Sequence, residues 1–301
     1  HPVDAQTLVT TSGSDPDFAG DRDLATAAER TSVFGRISPQ QKRGVLRALR
    51  ANGHTVAMTG DGVNDVLALK SADVGIAMGS GSGAARAVAQ IVLLDDAFAS
   101  LPHVVAEGRR VVGNIERVAR LFLTKTAYSL VLAVLVGIAG LPFPFLPRQL
   151  TLVGSLTIGI PAFVLALAPN ADRARPGFVP RVLRAAVPAG IVAAASTFAA
   201  YAAARAHEST GLAEDRTVAV IALTVVALWV LAIVARPYSP WRIGLVLAMA
   251  AGMLGAIVIP PVADFFALVP NVGLAGLAGL LIGAVGAGLV ELLWRRLCSA
   301  D

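Results

Sequence analysis

A chain of 301 residues has room for two soluble domains, but 55% hydrophobic content and a mean hydropathy of +0.69 exclude an ordinary globular protein. Charge is divided along the chain: 12 acidic against 9 basic residues up to residue 107, then 8 against 16, so the net +5 belongs to the apolar half. Arginines grouped between apolar stretches fit loops beside a lipid headgroup layer, and no basic stripe interleaved with aromatics supports a nucleic-acid partner.

Cys298 is the sole cysteine, which excludes an internal disulfide or a cysteine-rich metal site. Residues 1–30 are polar and acidic, without the apolar core of a secretory leader, and a chain opening on His1 is expected to begin partway through a domain. A short helix is expected over Leu24 to Arg30 and a strand at Ser32-Val33-Phe34. Ser38-Pro39-Gln40-Gln41 then starts a helix, with Ser at the cap, Pro at the first position and Gln three residues after the cap. That helix buries Val45, Leu46 and Leu49 and ends at Asn52-Gly53.

Thr55-Val56-Ala57-Met58 predicts a buried strand and Val66 to Lys70 a helix. Between them lies Thr59-Gly60-Asp61-Gly62-Val63-Asn64-Asp65. Gly60 and Gly62 permit a sharp turn at the strand end. Asp61 and Asp65, one helical turn apart, face the crevice at the carboxyl edge of a sheet, and with the amide of Asn64 they suit Mg²⁺. Taken alone, Gly-Asp-Gly is equally well explained as an acidic turn capping a helix, and Lys42 as a solvated helix lysine. A second strand (Val74 to Met78), a loop (Gly79 to Gly83), a helix (Ala84 to Gln90) and a third strand (Ile91 to Leu94) complete a parallel, doubly wound pattern.

Met58 to Asp65, continued by Ala68-Leu69-Lys70, by Ala72-Asp73-Val74-Gly75-Ile76-Ala77-Met78-Gly79 and by Val92-Leu93-Leu94-Asp95-Asp96, resembles the hinge region of P-type ATPases. These are ion pumps of the haloacid-dehalogenase superfamily that pass through a phospho-aspartate. The resemblance covers residues 30–172, including Phe34-Gly35-Arg36, Lys125-Thr126-Ala127-Tyr128-Ser129 and Leu167-Ala168-Pro169-Asn170, and is similar to the mycobacterial cation-transporting ATPase E group. It implies a haloacid-dehalogenase-like, Rossmann-type partial domain followed by an all-α bundle of six transmembrane helices. Residues 1–108 would be the carboxy-terminal part of the phosphorylation domain and 109–301 the membrane domain. Lys42, in the family's Pro-x-x-Lys, would contact the phosphoryl group, and Asp61, Asn64 and Asp65 would complete the catalytic set, with Mg²⁺ as cofactor and ATP as substrate. The implied partners are membrane lipid, a transported cation with calcium among the candidates, and a missing amino-terminal part of the pump. That part would carry Asp-Lys-Thr-Gly-Thr, the nucleotide and actuator domains and four further helices, so this chain alone is expected to be inactive. Two alternatives stay open: a non-catalytic membrane fragment, and a membrane-anchored phosphatase using Asp15-Pro16-Asp17.

From His103 to Arg120 the pattern is helical and runs without punctuation into Leu121-Phe122-Leu123, predicting one long helix that enters the bilayer. Six spans are expected at about 121–141, 150–168, 182–204, 217–235, 243–259 and 272–293. Arg173, Arg175, Arg181 and Arg184 mark the second connection, Arg236 and Arg242 the fourth, and Arg295 and Arg296 the tail. Glu208, Glu214 and Asp215 mark the third. This alternation predicts a multi-pass plasma-membrane protein with its amino-terminal domain and carboxyl terminus in the cytoplasm. Gly159-Ile160-Pro161 is expected to break the second span. Ser155 and Thr157 before that break, with Thr126, Tyr128 and Ser129 in the first span, are candidates for an ion pathway, against the alternative of hydroxyls bonding back to their own helices. Lys125 reads first as snorkelling to the headgroups, or else as a built-in counter-cation. Alignment with calcium pumps puts Ser129, Gly154 and Ile158 where they carry Glu, Asn and Asp, and no carboxylate lies deep in a span. The glycines of the last span, Gly273, Gly276, Gly279, Gly283, Gly286 and Gly288, predict close helix packing.

Overall fold

The structure is a computed structural model that describes residues 3–4, 26, 28–169, 177–206 and 211–298. Asp15, Asp17, Asn170, Arg173, Arg175 and Glu208 lie outside the described residues, as do Leu24, Ala25 and Ala27 of the helix expected at Leu24 to Arg30, of which Thr26 and Ala28 to Arg30 are helical. The chain divides into two compact units, one up to Val104 and one from Val105 onward.

The first unit is built on parallel strands. Short strands β1 (Val3–Asp4) and β2 (Phe34–Gly35) pair with each other. A second sheet holds β3 (Ala57–Gly60), β4 (Val74–Met78) and β5 (Ile91–Leu93) in that order, with Thr59 opposite Ile76 and Met78 opposite Leu93. Helices α1 (Pro39–Ala51), α2 (Val66–Ser71) and α3 (Gly83–Val88) alternate with them. The start of α1 is the expected capping box: Gln41 N–H donates to Ser38 Oγ at 3.2 Å and Ser38 N–H to Gln41 Oε1 at 2.9 Å. Leu46, Ala68 and Ala72 form one small core, and Leu69, Ala77 and Ala85 another. Val45 and Leu49, expected in the core, are only half-buried.

The second unit is helical. The long helix α4 (Leu101–Ala139) runs unbroken for 39 residues, about 58 Å at 1.5 Å per residue. The second span is α5 (Pro147–Gly154), a π-turn over Ser155–Gly159 and α6 (Ile160–Ala166). The expected break is therefore a widened turn inside a continuous span. Pro161 lacks an N–H and its ring would strike the carbonyl of Thr157 four residues back, and one π-turn accommodates both effects. Then come α7 (Phe178–Arg205), α8 (Leu212–Val234), α9 (Pro240–Val258), the short α10 (Pro260–Phe266) and α11 (Gly273–Cys298). Among the described residues six helices are long and apolar enough to cross a membrane. α8 begins five residues before the predicted span because Glu214 and Asp215 favour a helix amino terminus, and Asp215, fully buried, pairs with Arg205 at 3.1 Å.

The glycines of α11 divide by face. A methyl group at Gly279 would lie 2.9 Å from Val218 Cγ1, at Gly283 3.0 Å from Ala222 O, and at Gly286 2.3 Å from Ser196 Oγ. Those three admit the backbones of α7 and α8, whereas Gly273 and Gly288 face open space and Gly276 would meet only Val272 of its own chain segment.

Candidate functional site

The turn that leaves β3 is too tight for any side chain at its first residue. A Cβ on Gly60 would sit 2.6 Å from Asp65 Cβ. Gly62 is extended, and a 3₁₀ turn over Val63–Asp65 passes into α2. The loop after β4 is tied to the same place: Ser82 N–H donates to Asp61 O at 2.7 Å, and a Cβ on Gly81 would lie 2.8 Å from that oxygen. Asp96, at φ +53°, holds this loop by accepting from Ser80 N–H at 2.9 Å. That backbone hydrogen bond keeps the Asp96 carboxyl below the usual range, as the Ser100 hydroxyl and then the Ala97 N–H do for Asp95. Both stay ionised at neutral pH and act as loop ties.

On this frame the structure brings Lys42 and Asp65 into contact. Lys42 Nζ is 2.6 Å from Asp65 Oδ1, and Asp65 is 7% exposed. The other oxygen of Asp65 accepts from Gly62 N–H at 3.4 Å. Asp61 and Asn64 are exposed at the same sheet edge. A cation from α1 is thus fixed by the buried carboxylate of the turn that also carries exposed Asp61.

Mg²⁺ takes six oxygen ligands and commonly shares them with phosphate and water. Among the described residues no three His, Cys, Asp or Glu side chains converge. The exposed Asp61 carboxylate, bonded to no described group, fits the ion. Asp65 has one oxygen occupied by Lys42 and one toward Gly62.

Among the described residues no hydrogen bond joins any two of Lys125, Thr126, Tyr128, Ser129, Ser155 and Thr157. Thr126 bonds back to Phe122 O at 3.1 Å and Thr157 to Val153 O at 2.7 Å, the helix-internal alternative. Tyr128 is buried with no partner for its hydroxyl among the described residues, while Thr126, Ser129 and Ser155 are exposed.

Lys125 stands apart. A methyl group on Gly154 would come within 3.3 Å of Lys125 Nζ, so the ammonium rests against the second span one residue before the π-turn. The depth follows from Asn114, whose Nδ2 donates to Ala166 O at 2.9 Å and Ala168 O at 2.8 Å and so fixes those residues at one level. Lys125 is eleven residues beyond Asn114 on one helix, and Gly154 twelve residues from Ala166 on the other. At 1.5 Å per residue both lie about 16–18 Å from that level. The ammonium thus lies against the second span near Gly154.

Sequence reasoning missed Asn114, which is 3% exposed and accepts from Arg117 at 3.3 Å while capping the end of α6. It also missed Gln149, fully buried and donating to Ala267 O at 2.9 Å, and Glu291, held by Arg236 and Arg295, each at 2.8 Å. An amide within an otherwise apolar-periodic face is the signal that would have found the first two.

A parallel α/β domain with a carboxylate-bearing turn at its sheet edge, followed by six helices long and apolar enough to cross a membrane, defines a multi-pass membrane protein that carries an α/β domain. Haloacid dehalogenase-like hydrolase models match residues 5–73 and 43–104. A calcium-transporting ATPase CtpE of Mycolicibacterium smegmatis is 53% identical over 287 residues, 90% of this chain and 36% of that protein. A probable cation-transporting ATPase, exp7, of Streptococcus pneumoniae is 42% identical over 57% of this chain and 23% of that protein. The Bacillus subtilis calcium-transporting ATPase is 38% identical over 48% of this chain and 16% of that protein. By these matches the chain is similar to P-type cation-transporting ATPases, and it spans about a third of the length of the first of these relatives.

Proposed function

We propose that this chain is the carboxy-terminal part of an ATP-driven cation pump that couples aspartyl-phosphate formation to transport across the plasma membrane. Residues 1–108 would complete a phosphorylation domain and 109–301 would form spans five to ten. The observation that carries this reading is the Lys42–Asp65 pair at the turn that also carries exposed Asp61, at the carboxyl end of β3. Asp61, backed by Asp65, would hold Mg²⁺; when bound, the ion neutralises charge on phosphoryl oxygens. Lys42, kept in place by Asp65, offsets the charge that develops on those oxygens. Asn64 adds an amide at the same edge. The attacking carboxylate and the nucleotide site belong to the amino-terminal part of the pump, so the chain alone is inactive. This fits the third of the relative's length that the chain spans.

Calcium is the proposed cargo, on the names of the relatives. Support within the chain lies in oxygen donors other than carboxylates. The second span widens into a π-turn at Ser155–Gly159, and Tyr128 offers a buried hydroxyl. Asp215 and Glu291 are committed to arginines at span ends. The complete pump in inside-out vesicles is expected to accumulate ⁴⁵Ca²⁺ only with Mg²⁺-ATP. ATP-dependent uptake of another cation in its place would correct the cargo, and no uptake of any cation would overturn the reading.

Lys125 we assign to the same pathway as a built-in counter-charge, on its position beside Gly154 and because an intramembrane cation is costly unless used. In the complete pump Lys125→Ala is expected to change the number of ions moved per ATP or the charge moved per cycle. Transport that merely scales with expression, at unchanged stoichiometry, would remove Lys125 from the pathway.

The arginine-rich connections support a topology with both termini in the cytoplasm. Cys298 in intact cells should resist a membrane-impermeant maleimide and react after permeabilisation. Labelling without permeabilisation would invert the topology.

A further inference from the structure

One peptide plane in the first unit is held at both ends. The carbonyl of Asp61 accepts from Ser82 N–H at 2.7 Å, and the N–H of Gly62, in the same rigid plane, donates to Asp65 Oδ2 at 3.4 Å. With that plane fixed, the direction in which the exposed Asp61 side chain leaves the backbone is fixed too. The loop that presents Ser82 is pressed against the same residue. A Cβ on Gly81 would lie 2.8 Å from Asp61 O and 3.1 Å from Asp61 Cα, so the two backbones are in contact.

The other end of this loop is fastened by Asp96. Its carboxylate accepts from Ser80 N–H at 2.9 Å. Its own N–H donates to Leu93 O at 3.2 Å, the carbonyl that also accepts from Gly79 N–H at 2.8 Å. Asp96 makes these bonds at φ +53°, where a residue with a Cβ persists only if its surroundings over-determine it. Asp95, next to it, is engaged elsewhere: it accepts from Ser100 Oγ and, at 3.3 Å, from Ala97 N–H, within the turn ahead of α4. Only one carboxylate of the pair therefore reaches the loop that holds Asp61.

We propose that Asp96 is a positioning residue for the metal site: through Ser80 and the 79–83 loop it fixes the Asp61 peptide, and with it the carboxylate that takes Mg²⁺. This rests on the reading of Asp61 as the metal ligand. Amide exchange of the 301-residue chain in detergent, without metal, reads the tie directly. Asp96→Gly removes the acceptor while accepting φ +53° without strain, so the fold should survive it. Exchange at Ser82, beyond the lost bond, is expected to quicken by about tenfold, the low end for one hydrogen bond to a charged group. In the complete pump the same variant should raise the Mg²⁺ concentration for half-maximal acid-stable phosphorylation by about tenfold, as loss of an outer partner of a metal ligand does. The rate at saturating Mg²⁺ should stay as it was. Asp96→Asn keeps an acceptor and tolerates the left-handed backbone, so it should hold both changes to about threefold or less. Ser100→Ala, which loosens Asp95 alone, should move neither.

Faster exchange confined to Ser80 overturns the proposal, as does a shift of equal size from Ser100→Ala. So does an Mg²⁺ requirement that Asp96→Gly leaves unmoved in a pump where Asp61→Asn raises it. A requirement that Asp61→Asn also leaves unmoved removes the metal reading itself, and the positioning role with it.

Discussion

Replacing Asp61 by Asn in the complete pump is expected to lower the rate of acid-stable phosphorylation by roughly 10²–10³-fold, the range for removing one pre-aligned electrostatic stabiliser. The substitution is nearly isosteric at an exposed residue, so the fold should survive it. The charge it removes is the carboxylate that nothing else in the described site engages. Its loss should show as a raised Mg²⁺ requirement, with partial recovery at high Mg²⁺. Lys42→Ala should give a defect of similar size that no Mg²⁺ concentration repairs, because it removes the phosphoryl cation and not the metal ligand. It also leaves Asp65, 7% exposed, without its ion pair. Lys42 is itself about a third exposed, and such partly solvated pairs contribute on the order of 1 kcal/mol or less. Circular dichroism should therefore report a folded protein. Asp61→Asn with normal phosphorylation at low Mg²⁺ would rule out the metal role.

Much of this was legible in the sequence because it rests on local chemistry. The capping box at Ser38, the Gly60-Asp61-Gly62 turn and the six apolar runs each carry their own signal, and the structure returns all of them. The placement of Lys42 against Asp65 was not legible from spacing, since 23 residues separate them; only the resemblance put Lys42 near the site. Element ends moved where charge decided them. α8 extends outward because Asp215 finds Arg205, a partner ten residues away that hydropathy does not register. The π-turn was hidden for a different reason. A proline predicts the loss of one hydrogen bond, and whether the helix breaks or widens depends on packing from neighbours. Ser155 and Thr157 precede that proline and Thr126, Tyr128 and Ser129 belong to the first span, yet their directions depend on helix phase. The phase turns Thr126, Ser129 and Ser155 to exposed faces and Tyr128 and Thr157 inward.

Helix phase also sets the last expectation. Gly283→Leu should destabilise the membrane domain severely, and Gly288→Leu hardly at all, although both lie on α11. At Gly283 even a methyl group would be 3.0 Å from Ala222 O and 3.0 Å from Val225 Cβ, and two of the three nearest atoms are backbone of α8 that no rotamer change can move. Leucine adds three more carbons in the same direction, so α11 and α8 must separate along their contact. Overpacking of this kind costs about 1–3 kcal/mol or more. For a domain of this size 1 kcal/mol moves the midpoint by about 2–4 °C, so the thermal transition in detergent should fall by roughly 2–12 °C. At Gly288 nothing lies within 4 Å of the added carbon, and the side chain enters open space. The pair is measured by the loss of the monodisperse size-exclusion peak after heating. A fall of equal size for both would mean that α11 depends on glycine for helix flexibility. A fall for Gly283→Leu alone assigns the effect to the α8–α11 contact, which small residues serve by letting two backbones approach.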